Sequence, residues 1–365
     1  MKLGVEAALI AGELVPGDVE VADGRIAGYG LAGGNGSGIA SPGFVDLQVN
    51  GFGGIDLLEA DADGFAAAGD VLLEHGVTSY LPTFITAPEE QLIAALREVP
   101  SANGGARILG VHVEGPFLAP ARLGTHPPEY RRDPDPALLE RIVGAGPVRL
   151  VTLAPELPGA AELIELLQFR GITVSAGHSN ATAVEAEAAF ERGIRTVTHL
   201  FNAMRPLRHR DPGLVGAALA REDVVVQIIV DGIHLADETA QVVWRAAAGR
   251  VALVTDAIAG AGVLGSDGSY SLGGFEVSVR DGVARGPDGV LAGSLLTMID
   301  AVRNFHNLGV PLADALTAAT AIPAGVIGEP TVGRLEVGLP ADIVVLDDNL
   351  EVDRVLVGGE ARVVA

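Results

Sequence analysis

The sequence predicts an α/β fold, a (β/α)8 TIM-like barrel with a small β-sandwich domain formed by both chain termini. Three observations predict it. Helical stretches repeatedly end at a glycine that leads into a β-branched run, eight such runs fall between Ser41 and Asp256, and both ends of the chain read as short strands with turns. Glycine just past a helix is the favoured C-terminal cap, and helix–glycine–strand units in series indicate parallel βα construction.

At the N-terminus, Val19–Val21 and Arg25–Ile26 flank Asp23-Gly24, a hairpin turn. At the C-terminus, Ile343–Leu346 reads as a strand, and Arg354–Val357 and Ala361–Val364 flank Gly358-Gly359. The small domain is therefore expected from residues 1–40 and 335–365. The middle, 41–334, is expected to be the barrel, with Gly76, Gly171, Gly193 and Gly249 punctuating it. Its strand candidates are Gly43–Val49, Thr78–Pro82, Ile108–Val113, Arg149–Ala154, Thr173–Ala176, Thr196–Thr198, Val224–Val230 and Val251–Thr255. A hairpin insert is expected around 265–290, turning at Gly273-Gly274 and Asp281-Gly282. An open doubly wound sheet is the alternative, but no G-x-G-x-x-G follows the first strand, which weakens a dinucleotide-binding version.

Composition bounds the function. The 365 residues are 48% hydrophobic and 19% charged, enough to bury a large core. No apolar run reaches the roughly 18 residues that span a bilayer, and the start lacks the features of a secretory signal. Cytoplasmic residence and no membrane partner are the expectations. The chain has no cysteine, so any metal must be held by His, Asp or Glu. The net charge of −23 disfavours nucleic acid. An anionic small substrate would need a local basic pocket.

Barrel active sites form at the C-terminal ends of the strands. The polar residues there are Gln48 and Asn50, Thr83, Glu114, Glu156, His178, His199, His234 and Asp256. Three of the eight histidines stand just past an apolar strand. A lone histidine in that position is ordinarily structural. Here His178 and His199 end neighbouring strands and Glu114 faces the same mouth, and Glu/His/His plus water is a sound four-coordinate zinc site. Such an ion lowers the pKa of its water towards ~7. Asp256, after the last strand, is placed to take that water's proton and pass it to a leaving group. Arg210, in the loop after the sixth strand, is a candidate phosphate clamp, since its planar fork matches phosphate oxygens. His112 shares a strand face with Glu114, and His75 and His306 read as structural. Arg122, Arg131 and Arg132 are further candidates for the phosphate contact but are read as solvated.

These residues sit in PGFVDLQVNGFGG (42–54), HVEGPF (112–117), GTH (124–126), SAGHSNA (175–181), THLFNAM (198–204), RDPGLVG (210–216), DGIH (231–234), TDA (255–257) and LAGS (291–294). Together they resemble the N-acetylglucosamine-6-phosphate deacetylase family, and GRLEVGLPADIVVLD (333–347) resembles the wider amidohydrolase superfamily. The match spans almost the whole chain in order.

The resemblance implies release of acetate from a phosphorylated N-acetyl amino sugar. It assigns Glu114, His178 and His199 to one divalent metal, Zn2+ first, with Fe2+, Co2+ or Mn2+ as alternatives. It makes Asp256 the general base and then acid. His126 would help polarise the acetyl carbonyl, and Asn202, Ala203, Arg210 and His234 would contact the sugar and its phosphate, Ala203 through its backbone N–H. It implies a homodimer, with a partner-subunit residue near the phosphate.

The chain departs from the superfamily's H-x-H after the first strand, reading Gln48-Val49-Asn50, which leaves one tightly bound metal and a weaker second site open. The loop before Gly124 reads Ala-Arg-Leu rather than a lysine-containing version.

Deacetylation of the galacto epimer, or another amidohydrolase reaction, is the close alternative. A non-catalytic scaffold is the remote one. A Schiff-base aldolase is removed by the lysine count, since Lys2 is the only lysine.

Overall fold

The computed structural model describes residues 1–32, 36–102 and 104–364. Eight parallel strands form the barrel. They are β1 (Phe44–Val49), β2 (Val77–Ile85), β3 (Val111–Glu114), β4 (Val148–Leu153), β5 (Thr173–Ala176), β6 (Thr196–Val197), β7 (Val225–Ile228) and β8 (Val251–Leu253). Each pairs with the next in sequence. Closure between β8 and β1 runs through the residues just past the strands. Asp256 N donates to Gln48 O at 3.0 Å and Val49 bridges Ala257 in parallel. A helix follows each of the first seven strands, and Met298–Asn307 covers the last.

The eight expected strands are all present. Their ends shift by a residue or two, as frayed termini do, except at two places. The second runs on through Pro82 to Ile85, so Thr83 lies inside the barrel and Thr86 takes the rim position. Proline lacks the ladder donor and reads as a strand end; here Pro82 pairs in register with Val49 at the end of β1. The third is broken at Leu109-Gly110. Arg107–Ile108 pairs separately with β2 before β3 begins, and Gly110 has φ +131°.

Both termini pair in one six-stranded sheet, ordered Glu13–Pro16, Ala7–Ile10, Ile39–Pro42, Ile343–Leu346, Val352–Val357, Glu360–Val364. Side chains alternate across a strand, and this sheet separates two cores accordingly. Ala8, Ile10, Ile343, Val345 and Leu356 pack with Val19, Val21 and Ile26 of the hairpin Asp18–Ala22/Arg25–Leu31. Leu9, Val344, Leu346 and Val355 pack into the barrel core. The expected insert is a three-stranded antiparallel sheet, Gly268–Leu272, Phe275–Arg280 and Val283–Arg285, between β8 and its covering helix. Among the described residues no helix is long and apolar enough to cross a membrane.

Gly76 shows why the glycine punctuation recurs. It has φ +80°, and a Cβ there would lie 2.7 Å from the Phe44 ring. Gly76→Ala therefore combines left-handed strain with a clash against a fully buried ring. The loss of stability, read from the denaturant midpoint, is expected to exceed about 1 kcal/mol; an unchanged midpoint would contradict the packing described.

Candidate active site at the barrel mouth

Glu114, His178, His199 and Asp256 stand at or just past the ends of strands. His178, His199, Ala203 and Asp256 have φ of 47°, 27°, 51° and 51°. Non-glycine residues pay of order 1 kcal/mol each for that region. The cost breaks the strand sharply and turns the side chain over the mouth. Around His178 the local frame is firm: Thr182 and Glu185 form a capping box that starts the next helix immediately after it.

Glu114, His178 and His199 are all buried. Glu114 Oε1 lies 3.0 Å from His178 Nε2 and 2.9 Å from His199 Nε2, and the two imidazole nitrogens are 3.1 Å apart. One carboxylate oxygen and two imidazole nitrogens, all within 4.8 Å of one another, form a group able to hold a metal ion. The donor set fits a divalent cation with three protein ligands. His178 fits in detail: Nδ1 lies 2.9 Å from the carbonyl of Arg122, which can only accept, so Nδ1 carries the proton and Nε2 keeps its lone pair.

Charge follows the geometry. Burial alone would raise the Glu114 pKa, but the close imidazoles of His126, His178 and His199 outweigh it and hold the carboxyl well below its usual range. Burial pushes His199 down, but Glu114's hydrogen bond and charge, with Asp256, raise it overall. Asp256 is pushed up to about 6, first by burial and then by the charge of Glu114. Its Oδ1 accepts from Asn50 Nδ2 at 2.7 Å and from Gln48 Nε2 at 3.0 Å. The same Gln48 amide reaches Glu114 Oε2 at 3.3 Å, so one side chain spans both carboxylates.

His126 is buried and lowered to about 4, chiefly by burial and then by His178, so it is neutral near pH 7. Thr86 N–H donates to its Nδ1 at 3.3 Å, which places the ring proton on Nε2. That N–H faces Glu114 Oε2 at 3.6 Å. A neutral imidazole with an outward N–H is a donor suited to a developing oxyanion.

Above these groups is a cavity of about 350 Å3 whose walls include Asn202, Ala203, His234 and, from the insert side, Leu272 and Val290. His234 donates Nδ1–H to Asp231 Oδ2 at 2.7 Å. Residues 39–362 match the amidohydrolase family. The chain is a member of that family.

This amidohydrolase is 40% identical to N-acetylglucosamine-6-phosphate deacetylase of Mus musculus, over 88% of this chain and 83% of that protein. It is 36% identical to N-acetylgalactosamine-6-phosphate deacetylase of Escherichia coli O157:H7, over 87% and 86%. Among solved structures it is similar to a mutant N-acetyl-D-glucosamine-6-phosphate deacetylase from Mycobacterium smegmatis in complex with N-acetyl-D-glucosamine-6-phosphate. That match has a TM-score of 0.93, 36% identity and 98% coverage of both chains.

The amidohydrolase's cavity gathers most of the residues expected there, but Gln48, Thr83, Glu156 and Arg210 do not line it. Arg210 is exposed and not among the cavity-lining residues. It sits beside His209 in a tight turn closed by mutual Arg208–Asp211 backbone hydrogen bonds, while Arg205 pairs with Asp211.

Two contributors escaped the sequence reading and a third was misplaced by it. Thr86 was hidden behind Pro82. Asp46 is fully buried, accepts Thr255 Oγ1–H at 2.6 Å and so staples β1 to the segment carrying Asp256. Its signal was present, since a charge inside FVDLQV shares a face with Gln48 and Asn50. Arg122, expected to be solvated, is half-buried and lines the cavity.

Proposed function

We propose that this amidohydrolase hydrolyses the acetamide of N-acetylglucosamine 6-phosphate, giving glucosamine 6-phosphate and acetate, with one divalent metal. The observation that carries this reading is the convergence of Glu114, His178 and His199 on one point, with Asp256 tied to Glu114 through Gln48. Those three residues would hold the ion, zinc in this reading, and a bound cation there supplies a water of lowered pKa and polarises the acyl oxygen.

Asp256 takes the proton from the attacking water and returns it to the departing amine. A carboxyl whose pKa is lifted to about 6 serves both steps near neutral pH. His126, through Nε2–H, supports the charge that develops on the acyl oxygen. Asn202, the Ala203 backbone N–H and His234 contact the sugar and its phosphate, fixing it far from the reacting bond. Arg210 is proposed to meet the phosphate as well. Because it lies outside the cavity, that contact requires its turn to close or a second subunit to present it, and a homodimer is the assembly we propose. Cytoplasmic residence belongs to the same reading.

The similarity to a relative named for the galacto epimer favours a second reading, deacetylation of N-acetylgalactosamine 6-phosphate. Acetate release should be followed with both phosphorylated epimers and with unphosphorylated N-acetylglucosamine. The highest kcat/KM is expected for the phosphorylated gluco sugar. Preference for the galacto epimer would establish the second reading, and equal turnover of the unphosphorylated sugar would remove the phosphate contacts.

A further inference from the structure

We propose that Arg122 is a positioning residue: with Asn180 and Glu156 it sets the orientation of the His178 imidazole and locks the loop bearing His126 onto the loop that follows β5. The inference rests on the metal reading of Glu114, His178 and His199. His178 owes its ring orientation and tautomer to one bond, Nδ1–H to the Arg122 carbonyl at 2.9 Å. A ligand imidazole held in this way by its second nitrogen presents its first in a fixed direction.

The carbonyl therefore needs a fixed position, and its own element provides one turn bond, Arg122 N–H to Ala119 O at 2.9 Å. Arg122 ends a single 3-10 turn, Pro120–Arg122. What ties that short turn to the loop after β5 is the Arg122 side chain, whose Nε donates to Asn180 Oδ1 at 3.0 Å. Asn180 is anchored in turn by Glu156, at the end of β4. Glu156 Oε1 accepts from Asn180 N at 2.6 Å and Oε2 accepts from Ser179 Oγ at 2.8 Å. A backbone bond from Ala119 N to His178 O at 2.9 Å closes the ring between the two loops.

The path is short and continuous, from Glu156 to Asn180, to the Arg122 side chain, to its carbonyl, to His178. His178 sits at φ 47°, a conformation that relaxes unless its surroundings hold it. Among the described residues Arg122 makes no salt bridge, and its guanidinium bonds the Asn180 amide oxygen instead. An arginine on a cavity wall also invites a rival explanation, direct contact with an anionic substrate.

Zinc affinity separates the two explanations. It is measured by competition with a chromophoric chelator on the full-length protein and its variants, alongside KM and kcat. Arg122→Ala and Asn180→Ala are each expected to weaken zinc binding by about 10- to 100-fold, the usual range for a lost partner of a metal-binding histidine. The double variant should be no weaker than the worse single one. Asn180→Asp keeps an oxygen acceptor for Arg122 Nε and is expected to retain wild-type affinity.

The inference is overturned if Arg122→Ala raises KM while zinc affinity is unchanged, which makes it a substrate contact. It is also overturned if Asn180→Asp loses zinc as badly as Asn180→Ala, which points to packing rather than the acceptor. Wild-type protein without a stoichiometric zinc site would instead sink the metal reading, and this inference with it.

Discussion

Asp256→Asn is expected to lower kcat by about 10^2- to 10^4-fold, the usual contribution of a positioned general acid–base group. Asparagine has nearly the same shape and can still accept from Gln48 and Asn50, which hold the native carboxylate at 3.0 and 2.7 Å. The site should therefore keep its geometry and its metal while losing only the proton acceptor. The pH profile gives a second readout. Burial, then the Glu114 charge, raises Asp256 from the ordinary 3.8 to about 6. The sign follows directly: below that value the group holds a proton and cannot act as base, so kcat/KM should fall as pH drops through about 6. A bound cation opposes the proton and moves this limb lower. The limb should vanish in Asp256→Asn. Near-normal turnover, or an unchanged acid limb, would remove Asp256 from the assigned role.

Glu114→Gln is expected to act earlier, on metal binding itself. Glu114 is the only carboxylate in the three-residue group; its Oε1 lies 3.0 and 2.9 Å from His178 and His199 Nε2, and its Oε2 accepts from Gln48. Glutamine keeps the volume but removes the charge that attracts the cation and that raises His199. Zinc affinity should fall by more than about 100-fold, beyond the range seen for outer-shell partners. Turnover at micromolar zinc should be nearly lost. The barrel core lies elsewhere, in the packed apolar layers around β1 to β8, so the melting behaviour of the metal-free protein should change little. Retained zinc with retained turnover would mean that the ion, if any, is held by other groups.

Much of this was legible in the sequence for a physical reason. Barrel strands buried on both faces must be apolar and β-branched, and Gly76, Gly171, Gly193 and Gly249 all adopt positive φ where a helix gives way to the next strand. Polar residues at the ends of such runs have no place in the core, which is why Glu114, His178, His199 and Asp256 stood out. The misses share a cause as well. Pro82 looked like a strand end because its missing donor is visible in sequence, whereas its place in the ladder opposite Val49 depends on tertiary pairing. Gln48 and Asn50 were weighed as metal ligands, but their amides serve Asp256, which comes near only when β8 closes on β1. Arg122 looked solvated because its partner Asn180 is far away in sequence. Arg210 was read from its residue type, its place in the loop after the sixth strand and its motif, none of which reveals that a tight turn holds it outside the cavity.

The most direct test of the central claim is acetate release from N-acetylglucosamine 6-phosphate by protein stripped with a strong chelator and then titrated with zinc. Turnover should disappear on stripping and return linearly to a break at one equivalent per chain. Undiminished turnover in metal-free protein, or no recovery with zinc or any of Fe2+, Co2+ and Mn2+, would contradict a mechanism built on Glu114, His178 and His199.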